Sequence, residues 1–432
     1  MSSSGQVAVQ VKATEKAGKQ RYSVMCILMV TLLVSYLDRV NISVLIADNK
    51  FLHELGIAGN PVYMGLLTTL FLAPYGLSNG FLSPIGDWLG PRKTTAIAIV
   101  LWGLALTIGG FAGVFFMLGI SRVLLGLGEG LHWPVQSKYV KNWFPPAERG
   151  KANALWIVGV FLGPTIAMPF FAEIVSRWGW RASFFVLVAL GFIPLLLIWF
   201  FTTDRPAGNK RVNQAELDLI NVELENEATE VASKQATGFR ANTKLFFSNW
   251  RYWVQVVQYC CQSSMTWGII AWLPSYLKVS RGFSFGKMGL WSSLPYFLGV
   301  IGVFAWGVLS DKTRRSAPWA MLGHAIFGVG LFMGAMAKDP YTCIWLISIG
   351  LLGNGGALVV QWTILQRLVP ARVVATGGGF MNMCSNLVAS LAPVIMGALI
   401  ASTGSYVGGL MYLVCLAVIG TTAAGILTAQ KL

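Results

Sequence analysis

Apolar runs of about twenty residues recur along the whole chain, each long enough to cross a hydrocarbon core of about 30 Å. In such a core no backbone polar group finds water. A spanning segment therefore satisfies its own hydrogen bonds, as a helix or within a closed barrel. Barrel strands alternate apolar and polar positions over about ten residues. These runs are longer and apolar on every face, which makes them helices. Composition agrees, with 55% hydrophobic and 11% charged residues against about 25% charged in soluble domains.

The apolar pattern predicts twelve spans. Six are 22–45, 62–85, 94–111, 113–136, 151–173 and 181–202; six more are 252–277, 286–309, 317–337, 341–366, 373–400 and 405–428. This is an all-α membrane protein of twelve transmembrane helices in two six-helix bundles. It divides into an N-terminal half, 1–202, a middle loop, 203–250, and a C-terminal half, 251–432. An even number of spans puts both termini on one side. Of the 32 basic residues, twenty-three fall on that side and seven on the other, while Arg39 and Arg122 lie within spans. Cytoplasmic loops carry the excess of Lys and Arg, so the termini and the middle loop are predicted to be cytoplasmic and the protein to sit in the inner membrane. The net charge of +15 is thereby loop charge, and nucleic acid is not an expected partner. The polar start, 1–20, has no apolar core and does not read as a cleaved signal.

The middle loop opens on Leu217, Ile220 and Leu224 at helical spacing, which predicts a short amphipathic helix on the cytoplasmic face followed by a linker. A motif recurs in the two halves. Gly86-Asp-Trp-Leu-Gly-Pro-Arg-Lys follows the second span and Ser310-Asp-Lys-Thr-Arg-Arg ends the eighth. Asp87 with Arg92, and Asp311 in the other half, are read as an acid–base latch at helix ends. The six cysteines fall in apolar segments without metal spacing, and no phosphate loop, zinc pattern, nucleophile elbow or dinucleotide fingerprint is present. Neither an enzyme nor a cofactor or metal is expected.

Ionisable residues inside spans are costly and mark function. Four lie deep, all in the first half: Asp38 and Arg39 in span 1, Arg122 and Glu129 in span 4. Arg122 and Glu129 are seven apart and share a helix face, whereas Asp38 and Arg39 are about 100° apart and should not aim at one partner. Arginine stays charged and can grip a carboxylate at two points, and a buried carboxyl can be brought to exchange protons near neutrality. The expectation is that Asp38 pairs with Arg122, Arg39 meets a substrate anion and Glu129 carries a proton. The second half offers His324, read as a packing residue, and the amides Gln258, Gln262, Gln361, Asn382 and Asn386. Amides tie membrane helices together but also suit a hydroxylated substrate. Gly126, Gly128 and Gly130 around Glu129 read as close helix packing.

The chain resembles the major facilitator superfamily and, within it, the anion:cation symporters. The resemblance rests on Tyr36-Leu-Asp-Arg-Val-Asn-Ile-Ser, Gly86-Asp-Trp-Leu-Gly-Pro-Arg-Lys, Arg122 through Pro134, Asn142-Trp-Phe-Pro-Pro-Ala-Glu-Arg-Gly-Lys-Ala and Gly179-Trp-Arg. It implies proton-coupled symport of a small organic anion by alternating access, a sugar acid such as a hexonate or hexarate, in a protein that works as a monomer. It implies Asp38 and Glu129 as the proton-linked acids, and Arg39, Arg122, Tyr75, Gln258, Trp362 and Asn382 at the substrate. Three places depart from the family pattern: Val160 where sugar-acid members offer glutamine, Val359-Val-Gln-Trp-Thr, and His132-Trp before Pro134. Gly159-Val-Phe-Leu-Gly-Pro resembles part of an antiporter motif, so anion antiport or uniport is the rival reading. A sensor or scaffold on a transporter fold is the rival from another class.

Overall fold

The computed structural model describes residues 16–82, 84–145, 148, 152, 158–221, 246–369 and 373–431, and of Asp87, Val374 and Ala375 the backbone alone. Twelve long helices follow in order: α1 Gln20–Leu45, α2 Pro61–Phe81, α3 Pro91–Gly110, α4 Phe115–Trp143, α5 Gly159–Trp178, α6 Trp180–Phe201, α7 Trp250–Ser275, α8 Phe285–Thr313, α9 Ala317–Met336, α10 Pro340–Leu368, α11 Val374–Thr403 and α12 Tyr406–Ala429. The fourth span is longer than the sequence pattern shows, because its last turns carry Lys138 and Lys141. Residues 151–157 of the expected fifth span, apart from Ala152, lie outside the described residues.

Helix starts are set by local chemistry. Asn60 caps α2 by accepting from Tyr63 N (3.3 Å), Asp339 caps α10 by accepting from Thr342 N (2.7 Å), and each is followed by proline at the first helical position. Proline there removes only an N–H that has no helical partner. The hydrogen bonds from Thr342 hold the Asp339 carboxyl below its ordinary range. Ten of the twelve helices are apolar enough to span by composition alone. The two that fall short, α2 and α7, lie at the seam between halves, where side chains meet protein rather than lipid tails. That is why α7 can carry Gln255, Gln258 and Gln262, all buried.

The first bundle is built by α2 on α4, α1 on α5 and α6, and α3 on α4 and α6; the second by α8 and α9 on α10, α9 on α12, and α7 on α11 and α12. The halves are joined chiefly by α2 with α11, α5 with α8, and α1 with α7. Along the first seam a Cβ on Gly65 would be driven into the Pro393 carbonyl and one on Gly397 into the Pro61 carbonyl. One turn beyond Gly65, Thr69 Oγ1 donates to the Ser390 carbonyl (2.6 Å). At the end opposite the termini, Ser275 Oγ donates to the Ile46 carbonyl (3.1 Å) and Lys278 Nζ to the Ala47 carbonyl (2.5 Å). The short helix Asn49–Glu54 closes that end through Glu54, which accepts from Arg181 and Trp180; the Arg181 hydrogen bond holds the Glu54 carboxyl below its ordinary range.

Within the second bundle Gly302 lets α8 touch α10, since a Cβ there would meet the Leu352 carbonyl; Gly307, one and a half turns on, faces open space. Gly302→Ala is expected to cost about 1–3 kcal/mol through overpacking and to lower the thermal midpoint in detergent. Gly307→Ala should leave it unchanged. Equal midpoints for the two variants would contradict the close contact.

The middle-loop helix is present at 214–221, with Ile220 buried; Leu224 lies outside the described residues. It does more than lie on the surface. Glu216, fully buried, accepts from the backbone of Gln20 and Arg21 and from the Arg21 guanidinium (3.0 Å), which also binds Glu148 (2.8 Å). The loop therefore clamps the start of α1, a role the sequence pattern of Leu217 and Ile220 does not show.

Candidate functional site

All four deep charges come together near the middle of the first bundle. Arg39 Nε donates to Glu129 Oε2 at 2.5 Å, and Ser35 Oγ, one turn earlier on α1, donates to the same oxygen at 2.9 Å. Both partners of the ion pair are buried. The guanidinium is wrapped in aromatic faces, with its carbon 4.7 Å from the Tyr36 ring centre, 4.6 Å from Tyr75 and 5.6 Å from Phe71. Arg122 approaches the same Phe71 at 5.0 Å and donates from Nε to the Leu67 carbonyl at 3.4 Å. Cation–π contacts of this kind are worth about 2 kcal/mol or more once desolvated.

One expectation needs correction. Asp38 does not hydrogen-bond Arg122: its buried carboxyl accepts from no N–H or hydroxyl and lies instead against the Glu129 carboxyl, within electrostatic reach of Arg39 and Arg122. Arg39 is held by Glu129 in this structure, and its Nη2 is buried without a hydrogen-bond partner. Adjacent residues thus act on one partner after all, since a long arginine side chain reaches along the helix axis to a group that its own Cβ does not face. The result is two guanidiniums and two carboxyls in one buried cluster, with Arg122 Nη2 and Glu129 Oε1 also lacking partners.

The second half faces this cluster through aromatic rings. Trp267 on α7 stacks on Tyr36 (centroids 6.4 Å apart) and meets Phe71 edge-on (6.3 Å). Tyr259 donates to Asn382 Oδ1 (3.4 Å) and packs edge-on to Trp362 (6.0 Å). Gln258 is buried with both ends of its amide unpartnered. The other amides are spent within the helices, two of them on joining α7 to α10. Gln262 donates to Asn354 (2.8 Å), Gln255 to Gln361 (2.5 Å) and Asn386 to the Asn382 carbonyl (2.9 Å). Of the three expected substrate residues in this half, Gln258 thus has free hydrogen-bonding groups, while Asn382 and Trp362 are brought together by Tyr259. Ser35, Phe71, Tyr259 and Trp267 were not singled out from sequence. Ser35 and Phe71 lie one turn before Arg39 and Tyr75, a spacing that places them on the same helix faces; nothing local marks Trp267.

The latch is seen differently in the two halves. Arg92 N donates to Asp204 Oδ1 (2.8 Å), while the guanidinium donates to the Trp199 carbonyl and lies 4.8 Å from the Trp199 ring. Asp204, not read as a latch residue from sequence, thereby caps the start of α3. The side chain of Asp87 lies outside the described residues. Asp311 is exposed and, among the described residues, makes no ion pair. His324 is buried, with Nδ1 2.7 Å from the Ala320 carbonyl, and packs against Gly420. Glycines beside Glu129 let α4 approach α2, with Gly126 against the Phe71 carbonyl. No group of three or more metal-ligating side chains occurs among the described residues.

Two bundles joined along α2–α11 and α5–α8 around a buried charge cluster define a membrane transporter rather than an enzyme. The chain belongs to the Major Facilitator Superfamily, whose family model matches residues 28–393. It is 33% identical to the "Probable sulfoacetate transporter" of Cupriavidus necator, over 90% of this chain and 89% of that one. It is 28% identical to the "Probable galactarate/D-glucarate transporter" of Escherichia coli K12, over 95% and 93%. Its fold is similar to that of a bacterial homolog of the human lysosomal transporter Spinster in an inward-facing, unoccupied conformation. That likeness has a TM-score of 0.74 and 18% identity, and covers 95% of this chain and 96% of the other.

Proposed function

We propose that this protein is a proton-coupled symporter of a small organic anion. It works by alternating access in the inner membrane, with both termini cytoplasmic. The observation that carries the reading is the buried Arg39–Glu129 ion pair, in which a permanently charged anion receptor is neutralised by a group that can take up a proton. Breaking a buried pair by removing one charge is costly, of order 3–5 kcal/mol, because the other is left uncompensated. Protonation of Glu129 would leave Arg39 in that state, and an incoming carboxylate or sulfonate would relieve it. Empty and deprotonated, or loaded and protonated, the cluster carries the same charge, and these are the states free to reorient.

The remaining residues have roles in this scheme. Asp38 is a second proton acceptor within the cluster, and Arg122 balances it. Tyr75, Gln258, Trp362 and Asn382 line the substrate, with Asp87, Arg92 and Asp311 at the gating helix ends. One chain supplies all of them, so the monomer is the working unit. Sulfoacetate and galactarate or D-glucarate, the anions in the names of the relatives, are the first candidates for substrate, the latter a hexarate of the sugar-acid class. Each of these anions carries two negative charges near neutral pH, so two protons, one each on Glu129 and Asp38, make the step electroneutral; each further proton would add about 2.3 kcal/mol per 100 mV of membrane potential.

The test is pH outside and inside liposomes that hold the purified protein, with these anions added one at a time. Alkalinisation of the medium, matched by acidification of the lumen, is expected with one of them. Exchange of labelled anion against anion, with no proton movement, would replace symport by the antiport or uniport reading. No anion movement at all would reject transport of these anions.

A further inference from the structure

One line of buried polar side chains on α4 plays no part in holding the anion. Glu129, His132, Gln136 and Tyr139 follow at intervals of three, four and three, which places them on one helix face. All four are buried. Glu129 Oε1, both ring nitrogens of His132 and Gln136 Oε1 have no hydrogen-bond partner. Gln136 Nε2 donates to the Leu28 carbonyl of α1 (2.9 Å), and the Tyr139 hydroxyl lies 3.0 Å from Thr202 Oγ1 at the end of α6. From Glu129 to Tyr139 the helix rises about 15 Å, about half of a hydrocarbon core, and it rises toward the end that carries the termini.

The partners of this line among the described residues belong to the first bundle. Trp102 of α3 meets His132 edge-on (centroids 6.1 Å apart). The charged groups near His132 are Arg39 of α1 and Glu129 on its own helix. The line therefore runs inside the bundle, apart from the cleft between halves. Pro134 sits within it, lacking an N–H and crowding the Gly130 carbonyl one turn back, which loosens the helix ladder there. Leaving a buried polar group unpaired costs about 1–3 kcal/mol, so three such side chains in a row are poor packing residues. They are suited to holding water.

We propose that His132 and Gln136 connect Glu129 to the terminal-side surface as the proton route, a role that rests on Glu129 being the proton carrier. A proton leaves Glu129 for a water, and that water passes one to a ring nitrogen of His132. The other ring nitrogen releases its own proton to the next water, so the imidazole ends as the opposite tautomer. Gln136 orders that water, and Tyr139 with Thr202 completes the path. No heavy-atom bond changes, and the anion need not share the route.

The experiment uses the full chain in liposomes, with sulfoacetate and D-glucarate as probe anions. It compares wild type, His132→Leu, His132→Gln, Gln136→Leu and Glu129→Gln by lumenal pH and by anion–anion counterflow, which moves no net proton. His132→Leu and Gln136→Leu are expected to slow proton movement about tenfold, a 1.4 kcal/mol change, with counterflow altered less than about twofold. His132→Gln, which still bonds water, should be the milder change. Wild-type proton flux in both leucine variants, or a parallel fall of flux and counterflow, would overturn the route. Undiminished proton flux in Glu129→Gln, or none in wild type with either anion, would instead overturn the symport reading and the route with it.

Discussion

Glu129→Gln is expected to abolish accumulation of the anion against its gradient while leaving anion–anion exchange in place. Glutamine keeps the shape of the side chain and can still accept from Ser35 and Arg39, but it neither takes up nor releases a proton. The variant is fixed in the equivalent of the protonated state, with Arg39 uncompensated and open to an anion. In wild type, each proton carried per anion lets each pH unit across the membrane support about 1.36 kcal/mol of accumulation, close to tenfold. In the variant the ratio of inside to outside anion should settle at one. Labelled-anion uptake into liposomes under an imposed pH gradient reads this directly. Accumulation at the wild-type ratio would remove Glu129 from the coupling mechanism.

The second large effect is expected at Arg39. Arg39→Ala removes the anion receptor and leaves Glu129 buried without its partner. Truncating one member of a buried, hydrogen-bonded charge pair costs about 2–5 kcal/mol, so half-saturation by the anion should rise about a hundredfold, and the thermal midpoint should fall. Arg39→Lys keeps the charge but loses the planar fork that lies against Tyr36, Tyr75 and Phe71, and should fall between the two. Adding Glu129→Gln to Arg39→Ala should recover part of the lost thermal stability, because no uncompensated charge remains. A double mutant cycle by thermal shift in detergent checks this. Additive losses would show that the two residues do not act as a pair.

Much of the fold was legible before any coordinates. Long apolar runs have one stable form in a hydrocarbon core, so helix number and rough boundaries follow from the chain itself. Boundaries slipped where a helix continues past the apolar region, as α4 does to Trp143. The deep charges were legible for the same reason: lipid penalises them so strongly that their presence marks a site. Asp38, Arg39, Arg122 and Glu129 do form one cluster.

Who pairs with whom was not legible. Periodicity gives the direction of a Cβ, but Arg39 extends several bonds beyond it and settles on Glu129, while Asp38 lies against that carboxyl rather than pairing with Arg122. The amides show the same limit. Gln258 and Gln262 are one turn apart on α7 and alike in sequence, yet Gln262 is tied to Asn354 and Gln258 is free. Glu216 read as loop charge and proved to be the buried clamp on α1. Secondary structure and span count were determined by the sequence alone, because the solvent around each segment dictates them. The charge partners, the aromatic wall that Trp267 supplies from the other half and the buried polar line on α4 were decided by tertiary structure. Each depends on side chains far apart in sequence meeting within a few ångströms, and short-range pattern carries no record of that.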